Sequence, residues 1–130
     1  MLVADASVIV TACLAEVGLE PIEREDLVAP YLMWSEASSV LHELRWRKEI
    51  SDELATIALD RLSAARVSPR RPKRLIDEAW LIAGRLGWAK TYDAEYLALA
   101  RILKCRLLTT DSKLKSAGSR IVDIIGPGDL

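Results

Sequence analysis

Two short strand-like runs, the apolar residues 1–4 and Arg106-Leu107-Leu108-Thr109-Thr110, lead straight into an aspartate, Asp5 and Asp111, and then into a helical stretch. A short apolar run, a helix and another short apolar run read as strand, crossover and strand. The alternation recurs at Leu27-Val28-Ala29, closed by Pro30, and at residues 121–125, ahead of the Gly126-Pro127-Gly128 turn. Helical spacing is expected over 6–14, 31–48, 51–66, 73–86, 91–104 and 111–117. Gly87 is a fitting C-cap for the fourth of these, and Gly118 stops the last. Residues 19–26 read as a loop or a short helix, and 67–72 as a basic connection containing proline. Strands separated by helices predict an α/β fold. Its small sheet, of four or five strands and mostly parallel, should be covered by helices on both faces.

Length and composition narrow the classes further. A chain of 130 residues with 51% apolar content suits one domain, residues 1–130, with a real core and no tendency to disorder. No apolar run approaches the ~20 residues of a membrane span. Asp5 stands where a secretory leader would be basic, so a cytoplasmic protein is expected. Cys13 and Cys105 lie in apolar segments and read as buried free thiols. The single histidine, His42, argues against a Cys/His zinc site and a Ser-His-Asp triad. Chemistry here must run on carboxylates, hydroxyls or a metal held by oxygen.

Ligand sites in open parallel sheets form outside the carboxyl ends of the strands. Asp5 and Asp111 should therefore share one edge. Aspartate is also a preferred N-cap, which alone would account for both positions. Asp93 falls in the first turn of its helix, where the dipole favours an acid in any case. Glu36 is mid-helix, about 80° from the centre of the apolar stripe. Glu43 lies on the same flank, and spacing does not choose between them. Several carboxylates on one edge repel one another unless compensated. A hard divalent cation does this with a few carboxylates and waters. Such a site suits phosphodiester hydrolysis, because the ion polarises the phosphate and acidifies water.

Four segments, in order, resemble the PIN-domain ribonucleases of the VapC toxin type. Val3-Ala4-Asp5-Ala6-Ser7 resembles the opening strand with its first acid. Trp34-Ser35-Glu36-Ala37-Ser38-Ser39-Val40-Leu41 resembles the helix with the second, and selects Glu36 over Glu43. Residues 92–100, beginning Tyr92-Asp93-Ala94-Glu95-Tyr96, resemble the third motif, the most specific of the four. Leu108-Thr109-Thr110-Asp111-Ser112-Lys113-Leu114 resembles the fourth. The likeness spans essentially the whole chain. One departure is the short acidic stretch before Leu27, where the family usually carries a fuller second helix.

The resemblance implies a three-layer α/β/α PIN-like fold and a Mg²⁺- or Mn²⁺-dependent endoribonuclease acting on RNA. It implies Asp5 and Asp93 as direct metal ligands. Asp111 would bind through water or a second ion, and Glu36 would hold a water or act as base. Ser7 and Thr110 would orient carboxylates through their hydroxyls. It further implies inhibition by a VapB-type antitoxin and a homodimer. The contrasting reading is a PIN module that binds RNA or protein without catalysis, against which the filled set of four acids speaks. A haloacid-dehalogenase-like phosphatase would need a second Asp where Ser7 stands.

The net charge of −1 conceals a split. Residues 1–60 carry 12 acids and 4 bases, a net of −8, and residues 61–130 carry 7 acids and 14 bases, a net of +7. Arg70, Arg71, Lys73 and Arg74 form a basic cluster that suits RNA phosphates. Four tryptophans in a chain without phenylalanine suit base stacking or protein interfaces. Trp80, beside Ala79 and Leu81, is expected in the core, and Trp34 or Trp46 at an interface. Lys90 and Lys113 lie near the motifs with no assigned role.

Overall fold

A computed structural model describes residues 1–130. The five strands are β1 (Leu2–Ala4), β2 (Leu27–Ala29), β3 (Val67–Pro69), β4 (Arg106–Leu108) and β5 (Ile124–Ile125). Every pairing is parallel, and the strand order is β3-β2-β1-β4-β5. The sheet is thus wholly parallel, as crossover connections require. Strands β1 and β2 are buried along their whole length, which is why they read as unbroken apolar runs.

Seven helices surround the sheet: α1 (Ala6–Leu14), α2 (Glu20–Glu23), α3 (Leu32–Trp46), α4 (Asp52–Ala64), α5 (Leu75–Leu86), α6 (Tyr92–Leu103) and α7 (Ser112–Gly118). Helices α1, α3 and α4 pack on one another, while α6 lies on β1 and β4 and carries α5. This is the three-layer α/β/α arrangement. Helix α6 is its pivot, with a run of buried residues from Tyr96 to Ala100. Arg61 of α4 donates to the carbonyls of Cys13 and Ala15, satisfying the free C-terminal end of α1.

The structure corrects three local expectations. The basic stretch 67–72 begins with a strand, β3. This strand is at the sheet edge and buries only Val67, and Pro69 is tolerated there because an edge strand can spare the N–H. Trp80 is 72% exposed rather than in the core. Leu75, Ala79, Ile82 and Ala83 form the buried stripe of α5, and Trp80 lies one residue, about 100°, off it. Gly118 is the last residue of α7 rather than its stop, and Ser119 caps the helix. A Cβ on Gly118 would sit 2.5 Å from Leu97 Cδ2, so close packing demands glycine there. Of the loop or short helix read before Leu27, the structure has the short helix, α2, of 4 residues.

Candidate active site

Asp5 follows β1 and is 4% exposed. Its carboxylate caps α1, with Oδ1 accepting from the Val8 N–H at 3.2 Å. The same oxygen accepts from Ser7 Oγ at 2.6 Å, and Oδ2 accepts from Thr109 Oγ1 at 2.6 Å. Thr109 is itself buried and accepts from the Asp111 N–H at 2.9 Å. Ser7 Oγ accepts from the Thr110 N–H at 3.2 Å. Two hydroxyls therefore knit the end of β1 to the end of β4 and fix the Asp5 carboxylate. The orienting hydroxyls are Ser7 and Thr109. The expected Thr110 contributes only its backbone N–H; its side chain is exposed and makes no hydrogen bond.

Asp111 caps α7 through Oδ1, which accepts from the N–H groups of Lys113 at 2.9 Å and Leu114 at 3.1 Å. Oδ2 makes no hydrogen bond. Both aspartates are therefore caps, and each keeps acceptor capacity to spare. A carboxylate offers about four lone-pair sites, of which Asp5 uses three and Asp111 two.

Glu36 is half-buried on α3 and accepts from the Tyr96 hydroxyl at 2.5 Å. The structure thus separates the two candidate glutamates. Glu43 is exposed and pairs with Arg47 at 2.7 Å. Asp93, in the first turn of α6, makes no hydrogen bond or ion pair and lines a groove of about 680 Å³ together with Glu36.

Three of the four acids are pushed up in pKa, by burial first and then by the charge of another of the four. Burial lifts the pKa of Asp5, the Ser7, Thr109 and Val8 donors oppose that lift, and the charge of Asp111 adds to it. Burial also lifts Glu36, the Tyr96 hydroxyl opposes, and Asp93, Asp5 and Glu95 push it up further. Asp93 is raised by burial and then by Asp111. Like charges held together in a partly desolvated place call for a cation. The donors are all oxygen, the set preferred by hard divalent ions. No three acids stand close enough to form a ready-made cage. An ion here would lean on one or two carboxylates and on water, the usual habit of Mg²⁺. The residues fit such an ion.

Residues 2–119 match the PIN domain family. The chain belongs to that family. It is similar to ribonuclease VapC9 of Mycobacterium tuberculosis, with 33% identity over 119 residues, covering 91% of either chain. It is similar to ribonuclease VapC1 of the same organism, with 37% identity over 123 residues, covering 88% of this chain and 89% of the relative. Among solved structures, PAE2754 from Pyrobaculum aerophilum superposes with a TM-score of 0.75 at 21% identity, over 98% of this chain and 91% of that one. FitAcB from Neisseria gonorrhoeae superposes at 0.64 and 17% identity, over the full length of both. These structural likenesses concern the fold.

The basic cluster at Arg70, Arg71, Lys73 and Arg74 is exposed but does not line the groove of Glu36 and Asp93. The Arg70 guanidinium turns to Met1 Sδ at 3.9 Å, and Arg71 bears on Glu95. Lys90 and Lys113, which carried no role in the sequence, do line the groove, as do Trp88 and Tyr92. Their convergence depends on the turn after α5. Gly87 takes a left-handed conformation at φ 73°, and the Trp88 N–H folds back to the Ala83 carbonyl at 2.9 Å.

Proposed function

We propose that this PIN-domain chain is a Mg²⁺- or Mn²⁺-dependent endoribonuclease and the toxin of a VapBC-type pair, working as one domain over residues 1–130. The observation that carries the reading is the set Asp5, Glu36, Asp93 and Asp111. They come from four separate elements, and burial, with the charges of neighbouring acids of the set adding to it, raises the pKa of Asp5, Glu36 and Asp93. The likeness to VapC ribonucleases over nine-tenths of the chain supports the same activity. Asp5 and Asp93 would hold the ion directly and Asp111 through water. When bound, the ion supplies Lewis acidity to the phosphodiester and acidifies nearby water. Glu36, its proton affinity raised by burial, accepts a proton from the attacking water. Ser7 and Thr109 keep the Asp5 carboxylate in one orientation. The exposed Arg70, Arg71, Lys73 and Arg74 extend the positive charge available to the RNA backbone.

The same reading brings two protein partners. A depression of about 620 Å³ between α3 and α4 is lined by Leu41, Trp46, Ala55 and Leu59. Trp46 is 76% exposed, and such an apolar surface suits the VapB-type antitoxin. Ile76, Trp80 and Leu81 are likewise exposed on α5 and suit a second copy of the chain. The proposed place of action is the cytoplasm; no helix is long and apolar enough to cross a membrane.

The test is cleavage of RNA with Mg²⁺ or Mn²⁺ by the wild type and by Asp5→Ala and Asp93→Ala. Loss of cleavage in both variants is expected. Equal cleavage by all three proteins would show that the site lies elsewhere.

A further inference from the structure

We infer that Lys90, Lys113, Trp88 and Tyr92 form the seat for an unpaired RNA strand next to the acidic site. The inference rests on the ribonuclease reading and adds the residues that hold the substrate.

A polyanion cannot approach four acids without positive charge nearby. Lys90 comes from the turn between α5 and α6, and Lys113 from the first turn of α7, and both line the groove that contains Glu36 and Asp93. Both are exposed, and neither belongs to any of the ion pairs of the protein, which join Arg47, Arg66 and Arg101 to glutamates. Their charges are therefore free for a ligand although two acids share the groove. A lysine ammonium is a compact point charge suited to a phosphate.

The aromatic residues say which nucleic acid fits. Tyr92 is 57% exposed, and Trp88 is partly buried, its body packed on the core. Both line the groove within three residues of Lys90. An aromatic wall offers a stacking face to any base, but only to a base free of its helical neighbours. Phosphate contacts and stacking faces in one groove describe a single strand, with a base on the aromatics and its phosphates on the lysines.

The placement is built into the backbone. The Lys113 N–H is held by Asp111 Oδ1, so the cap of α7 fixes the backbone from which Lys113 reaches the groove. Gly87 sets the turn that delivers Trp88 and Lys90.

The experiment measures fluorescence anisotropy of labelled single-stranded oligouridylate, and of a labelled RNA duplex, over a series of salt concentrations with Ca²⁺ in place of Mg²⁺. Each lost phosphate contact should flatten the plot of log affinity against log salt by about 0.7 for a single strand, so Lys90→Ala with Lys113→Ala should flatten it by about 1.4. A double variant of equal charge outside the groove, Lys115→Ala with Arg120→Ala, should keep the wild-type slope. Tyr92→Ala should weaken single-strand binding by roughly tenfold while Tyr92→Phe retains it, and neither should change duplex binding. If the wild type cleaves RNA but the lysine double variant matches it in affinity and slope, the inference falls and the ribonuclease reading stands. If the duplex binds as well as the single strand and equally senses Tyr92→Ala, the single-strand assignment falls. If the wild type neither binds nor cleaves RNA, the ribonuclease reading falls and takes the inference with it.

Discussion

The Tyr96 hydroxyl donates to Glu36 Oε1 at 2.5 Å, joining α6 to α3 across 60 residues of chain. Tyr96 is 1% exposed, and its phenol is pushed far above the usual range by burial and by Glu36 itself, so it remains a donor at every working pH. Burial raises Glu36, and this hydrogen bond is what opposes the rise. Tyr96→Phe should fold, with stability lower by about 1–2 kcal/mol for a hydrogen bond lost to a carboxylate. Without the donor the pKa of Glu36 moves higher. Cleavage that needs the Glu36 carboxylate should then fail at a higher pH as the solution is acidified. A pH–rate profile of the two proteins checks this. An unshifted acid limb would detach Glu36 from the reaction.

Thr109 and Thr110 are neighbours with opposite expectations. Thr109→Val removes the donor to Asp5 Oδ2 and the acceptor of the Asp111 N–H, both in buried surroundings. Its cost should be about 1–3 kcal/mol in a denaturant melt, together with a loss of cleavage. Thr110→Val removes an exposed hydroxyl with no side-chain hydrogen bond and should stay within about 0.5 kcal/mol of the wild type. Equal effects from the two would mean that Thr109 does not orient Asp5.

That pair also shows where sequence reading stops. The strand read at 106–110 and the acid after it are plain from the sequence, although the structure ends the strand at Leu108. Which threonine faces Asp5 is set by the register of Leu108 against Ala4, a pairing across more than a hundred residues. Glu36 and Glu43 look alike from their own helix, and only the partners brought by folding, Tyr96 and Arg47, tell them apart. Strand β3 escaped detection because one buried valine is all its edge position requires. Lys90 and Lys113 gave no periodic signal, since their convergence is made by a turn and a cap. The rest of the alternation of strands and helices, by contrast, is dictated locally and was legible in the sequence.

Gly118 offers a test of packing rather than chemistry. A Cβ there would meet Leu97 Cδ2 at 2.5 Å and Ile124 Cδ1 at 2.9 Å. Leu97 is completely buried and Ile124 nearly so, which leaves them little room to yield. Gly118→Ala should therefore destabilise by about 1–3 kcal/mol, although alanine is the better helix former. Thermal unfolding decides between the two effects. A gain in stability would mean that the α7–β5 contact is looser than it stands here.

Asp93→Asn should make the metal-free protein more stable while disabling it. The Asp93 carboxylate accepts no hydrogen bond that the amide would forfeit, and its pKa is raised by burial and by Asp111. A raised carboxyl pKa means that folding disfavours the charged form. The penalty is full above the folded pKa and disappears below the ordinary carboxylate range, where both states are protonated. Asp93 is only partly desolvated and its exposed part is screened by solvent, so the expected gain near neutral pH is small, about 1–3 °C in Tm. The gain should vanish in strongly acidic buffer. Added Mg²⁺ should raise the Tm of the wild type, because an ion bound only by the folded state stabilises it, and raise that of Asp93→Asn less. Cleavage by the variant should fall by more than roughly a hundredfold, beyond the usual effect of changing a residue that merely supports a ligand. If Mg²⁺ stabilises both proteins equally, Asp93 does not hold the ion.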